Sequence, residues 1–241
     1  MTQAFRRGPF GVAMGHPGTP PGSGAPGPSA FTAAERRLIR RLRTPAAVQR
    51  WLNALPYNTE PPPQPATLRT FRGVVRLGTA HCLEAALTAA VILEQHGFRP
   101  LVMSLESIDQ LDHVIFVYRR RGRWGSVGRS RDPGLHGRRP VFRTLRALAQ
   151  SYVDPYVDRT GGVQAYGAVD LRVLGRYDWR LSDGNVYKVE RMLFDIPHRP
   201  IRSSAARIAR LRQRYIAYLD ANGGQKPLYY DRRTWTAIPE C

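Results

Sequence analysis

The chain has 241 residues, 37 of them Lys or Arg against 18 Asp or Glu, for a net charge of +19. That length suffices for one substantial core, while two cysteines, Cys82 and the terminal Cys241, are too few for the disulfide framework of a small secreted fold. No run approaches the ~18 apolar residues of a membrane span, and residues 11–28 carry no apolar signal segment, so a cytoplasmic protein with free thiols is expected.

Residues 1–30 are a Gly/Pro/Ser/Ala tract too poor in apolar side chains to offset its ordering entropy, and disorder is the expectation there. Residues 31–65 read as a helical lead-in followed by a linker. Thr32 and Glu35 have capping-box spacing ahead of Leu38, Ile39 and Leu42. Thr44-Pro45 opens a second helix through Val48, Trp51, Leu52 and Leu55, which Pro56 stops. Both helices should pack on the main domain, and residues 57–65, with three consecutive prolines, should form the linker.

Residues 66–241 form the main domain in this reading, of α+β class. After Gly78, the residues Leu83, Ala86, Leu87, Ala90 and Val91 make a helical stripe that Gly97 ends, placing Cys82 in the first turn. Residues 99–105 and 113–118 read as strands, and a Gly-centred hairpin turn over 119–123 leads into a third at 124–127. Residues 142–152 and 206–219 have amphipathic helical patterns, and Val169, Leu171 and Val173 alternate as in a strand.

A nucleophilic cysteine must ionise near neutral pH, which the N–H groups and positive dipole end of a helix N-terminus favour. It also needs an imidazole within hydrogen-bond reach to pair with the thiolate and protonate the leaving amine. Cys82 meets the first condition and His113, opening its strand, is placed to meet the second. His81 and His96 read as surface or packing residues. A metal site drawn from His81, Cys82, Asp109, Asp112 and His113 matches no structural zinc spacing.

The stretches Leu77-Gly-Thr-Ala-His-Cys82-Leu-Glu-Ala-Ala-Leu, Gly97-Phe-Arg-Pro-Leu-Val-Met, His113-Val-Ile-Phe-Val-Tyr and Gly122-Arg-Trp-Gly-Ser-Val together resemble the transglutaminase-like branch of papain-fold proteins. The resemblance covers about 60 residues and implies a papain/transglutaminase-like core with Cys82 and His113 as catalytic pair and no organic cofactor. It implies thiol-dependent hydrolysis or acyl transfer at an amide, peptide or isopeptide bond of an amide-bearing substrate. In the family pattern an aspartate follows the valine after "GxW", but Gly128 follows Val127 here. Asp132 is the expected substitute, accepting the second ring N–H of His113 as the third member of a triad does, with Ser130 as its weaker understudy. The Cys82 backbone N–H should serve the oxyanion. Arg72, Arg76 and the Trp51 indole are candidates for the second donor.

A second reading is a catalytically idle binding module, its triad lost and its arginine-rich surface recruiting an anionic partner, nucleic acid or acidic protein. All the basic residues except Lys188 and Lys226 are arginines, but no stripe interleaves them with stacking aromatics as single-strand binders do.

Overall fold

The computed structural model describes residues 24–60, 63, 65–107, 110–156 and 162–224, with only the backbone for 110–112 and 133. Most of the tract expected to be disordered, part of the proline linker, Asp109 and Cys241 lie outside these residues. Residues 24–30 run along the domain: the Pro26 carbonyl accepts from Gln95 and the Ala30 carbonyl from Arg72.

The lead-in helices form where their caps predict. In α1 (Ala33–Arg41) the Thr32 hydroxyl and Glu35 carboxylate satisfy each other's backbone N–H groups, and in α2 (Pro45–Ala54) the Thr44 hydroxyl accepts from Ala47. Short α3 (Phe71–Leu77) ends on Gly78, whose φ of 69° is left-handed. After it comes α4 (Cys82–Glu94), in which every residue from Leu83 to Leu93 is buried. The sequence reading gave α4 one apolar stripe, but its Ala, Leu, Val and Ile residues leave no face polar enough for water. At its end Phe98 N–H reaches the Leu93 carbonyl and Gly97 N–H that of Glu94, a Schellman motif with Gly97 at φ 82°.

A five-stranded antiparallel sheet follows, in the order β3-β2-β1-β4-β5. Its members are β1 (Leu101–Ser107), β2 (Gln110–Arg120), β3 (Arg123–Val127), β4 (Ala165–Asp170) and β5 (Arg199–Pro200). The β2–β3 turn places Arg121 and Gly122 at φ 49° and 75°, the double left-handed conformation that two-residue hairpins favour. Period-two alternation divides the sheet residues between two layers. Val102, Val114, Phe116 and Tyr118 join α1 to α4 in one core cluster. Met103, Leu105, Ile115 and Val117 pack on the other face against Leu135, Leu148, Tyr152 and Leu211. That second layer is built by α5 (Leu145–Gln150) and α7 (Ala205–Ala221), while Val189 and Leu193 of α6 (Tyr187–Asp195) belong to the first.

Three expectations change. His113 does not open its strand but lies inside β2, beside a register shift: Leu105 faces His113 and Glu106 faces Leu111, so Asp112 is an extra residue. Such a bulge re-aims the neighbouring side chain. The alternation through Leu171 and Val173 stops at Asp170, whose carboxylate accepts the Arg172 N–H and turns the chain into a 3-10 turn. The helix expected over 142–152 is only α5, capped by Thr144. Among the described residues no helix is long and apolar enough to cross a membrane.

Candidate active site

The chain enters α4 through a loop locked by one buried carboxylate. Glu84, fully buried, accepts from Arg69 Nε at 2.6 Å and Nη2 at 2.7 Å, from the Arg69 backbone N–H at 2.9 Å and from the His81 N–H at 3.1 Å. Arg69 continues to the Thr79 hydroxyl and carbonyl. Burial alone would raise the Glu84 pKa, but the Arg69 hydrogen bonds and the charge of His81 hold it below the usual carboxylate range. The ion pair fixes residues 79–81 and so the position of Cys82 at the first turn.

Cys82, half-buried, is the free cysteine among the described residues, and its sulfur is flanked by two imidazoles. Burial pushes the thiol up; hydrogen bonds from His113 and then His81, with the charges of both rings, prevail and hold it at about 5. His113 is buried and donates Nε2–H to the Leu135 carbonyl at 2.9 Å, which leaves Nδ1 for the sulfur. His81 is likewise fixed by an Nε2 bond to the Thr67 carbonyl at 2.9 Å. Burial lowers its pKa, but the Cys82 hydrogen bond and the Glu84 charge outweigh that and raise it to about 9. His81 therefore stays an imidazolium at neutral pH, a fixed positive charge on the thiolate. Sequence alone reads His81 as a surface or packing residue; its N-cap position beside Cys82, three residues before Glu84, is the available signal.

The Leu135 carbonyl is presented by a loop stapled from both sides. Gln49 of α2, buried, accepts from the Gly128 and Gly137 N–H groups and donates to the Gly128 carbonyl at 2.7 Å. The packing of Ile115 explains the glycine at the expected aspartate position: a Cβ on Gly128 would lie 2.7 Å from Ile115 Cγ2. On the far side buried Arg138 donates to the carbonyls of Gly134 and His136 and stacks 4.1 Å from the Tyr152 ring centre. The expectation put the Asp132 carboxylate on the second nitrogen of His113; the hydrogen bond found there goes to Leu135. Asp132 builds the turn beneath it, accepting the Gly134 N–H on Oδ1 and the Leu135 N–H on its carbonyl, both at 3.0 Å. Ser130 Oγ accepts the Asp132 N–H rather than orienting the ring directly.

A cleft of about 260 Å³ opens over the sulfur, lined by Tyr57, Glu60, Thr67, His81, Cys82, His113, Arg131, Tyr187 and Glu190 among others. None of the three residues proposed as second oxyanion donors lines it. Arg72 is paired with Glu35, Arg76 reaches Asp183, and Trp51 packs on the core. Tyr57, assigned from composition to a linker, instead meets Cys82 directly. Among the described residues no group of three His, Cys, Asp or Glu side chains is disposed to hold a metal ion. The arrangement places the Cys82 thiol, its pKa lowered, between two imidazoles at a helix N-terminus, on a cleft open to solvent. No protein-family model matches this chain, and neither does any curated protein.

Proposed function

We propose that the protein is a papain-like, transglutaminase-like thiol enzyme that cleaves or transfers acyl groups at amide, peptide or isopeptide bonds. The observation that carries this reading is the Cys82 sulfur, hydrogen-bonded by two imidazoles at the floor of an open cleft. The thiolate attacks the carbonyl carbon, a C–S bond forms, and the carbonyl π electrons move onto oxygen beside the Cys82 N–H. The protonated His113 gives its Nδ1 proton to the leaving amine as the C–N bond breaks. Neutral His113 then takes a proton from water or an incoming amine, whose attack on the thioester restores the thiolate. His81, protonated throughout, contributes charge rather than proton transfer.

Asp132 acts in this scheme through its turn. Asp132→Asn retains an oxygen for the Gly134 N–H and should keep kcat within about threefold of wild type, whereas Asp132→Ala releases the turn and should lower it roughly tenfold or more. Steady-state kinetics on both variants checks this, and equal collapse of the two would restore the carboxylate to a direct role.

The function itself is tested with p-nitrophenyl acetate and a panel of peptide amides and esters. Wild type should release a stoichiometric burst of p-nitrophenolate and trap a thioester on Cys82, while Cys82→Ala stays at background. Wild type indistinguishable from Cys82→Ala on every probe would end the reading.

A further inference from the structure

Chemistry at Cys82 needs two donors on the developing oxyanion, and the backbone supplies one. Tyr57 lines the same cleft as Cys82. Its segment lies beside the residues leading into α4: Tyr57 forms an isolated parallel bridge with Ala80, Asn58 N–H reaches the Ala80 carbonyl at 3.3 Å, and Ala80 N–H the Pro56 carbonyl at 3.4 Å. The Asn58 side chain ties the same segment to the Thr67 hydroxyl at 2.9 Å. The guanidinium groups of Arg129 and Arg131 stand 5.8 and 5.7 Å from the Tyr57 ring centre. Arg129 is itself anchored to the Leu55 carbonyl at 3.0 Å. The ring is thus held from several directions, and its hydroxyl meets both the backbone N–H and the side chain of Cys82.

A backbone N–H can only donate, so it gives its proton to the phenol oxygen, and the one phenol proton goes to the sulfur. We propose that the Tyr57 hydroxyl is the second oxyanion donor of this site, transferring its hydrogen bond from sulfur to the acyl oxygen as negative charge moves there. The proposal rests on the thiol-acyl reading above. While Cys82 is a thiolate, the phenol stabilises it. Once the C–S bond forms the sulfur is neutral and a weak acceptor, and the nearest negative atom is the carbonyl oxygen. The Cys82 N–H keeps its direction in α4, and the acyl oxygen takes the place of the phenol oxygen before it, so two donors converge on that atom. The phenol remains protonated at working pH because burial, and then the thiolate charge, raise its pKa, with Arg131 opposing.

Two reactions of the same sulfur separate this role from thiol tuning. Alkylation by iodoacetamide needs the thiolate but forms no oxyanion; acylation by p-nitrophenyl acetate needs both. Tyr57→Phe keeps the ring and its arginine contacts, so it should slow pre-steady-state acylation about a hundredfold while leaving alkylation within about threefold. Retained alkylation also certifies that the site is assembled. Unchanged acylation would overturn the assignment, and so would a parallel fall in both rates, which would make Tyr57 a builder of the site. Absence of acylation in wild type above the Cys82→Ala background would remove the enzymatic reading itself, a different result from either.

Discussion

In a Cys241→Ser background, alkylation of Cys82 by iodoacetamide should rise with pH to a midpoint near 5, where an ordinary thiol titrates near 8.5. The sign follows from the neighbours. A depressed pKa means that the thiolate is present above pH 5 and is lost as pH falls through that value. At pH 6 Cys82 holds about 300 times more thiolate than a free cysteine. Intrinsic nucleophilicity falls with pKa and removes about 40-fold of that. The net advantage is roughly tenfold at pH 6, and it reverses at about pH 7 as the free thiol ionises, so the midpoint is the diagnostic quantity. His113→Ala removes the largest stabilising hydrogen bond and should move the midpoint up by about two units or more; His81→Ala should move it less. A wild-type midpoint above pH 8 would show that the imidazoles do not hold the proton away from sulfur.

The second large effect concerns the fold. Glu84→Ala strips Arg69, itself only 12% exposed, of its carboxylate and leaves the backbone N–H groups of Arg69 and His81 without their acceptor. Breaking a buried pair by deleting one partner costs about 3–5 kcal/mol, a large part of the total stability of an average domain. Denaturant unfolding should show that loss, and the Cys82 pH profile of the variant should broaden upward because the loop carrying His81 loosens. Glu84→Ala within about 1 kcal/mol of wild type would mean that water replaces the carboxylate at Arg69.

What sequence reveals here is what is local. The Thr32–Glu35 box, the Thr44-Pro45 start, the Gly97 stop and the Gly122 hairpin each involve neighbours a few residues apart, and each forms as read. The pairing of Cys82 with His113 was legible because both lie in strongly patterned elements. The partner of His113 was not. A main-chain carbonyl has no residue identity, so nothing in the letters marks Leu135 as the acceptor. Tyr57 was hidden by its prolines, whose composition describes an extended linker, while the backbone bonds of Pro56 and Asn58 to Ala80 make that segment part of the cleft wall. His81 was hidden by its modest local context, since the charge it keeps depends on Thr67 and Glu84 folding around it.

The grip of Gln49 on Gly128 joins residues 79 positions apart. A ribosome releases α2 long before residues 128–137 exist, so the amide has no loop to hold until most of the chain has emerged. Until that contact closes, the Leu135 carbonyl is not fixed against His113 and the sulfur lacks its principal hydrogen-bond donor. A nascent or truncated chain should therefore carry an ordinary, largely protonated cysteine, with the lowered pKa arriving only when the Leu135 loop is in place.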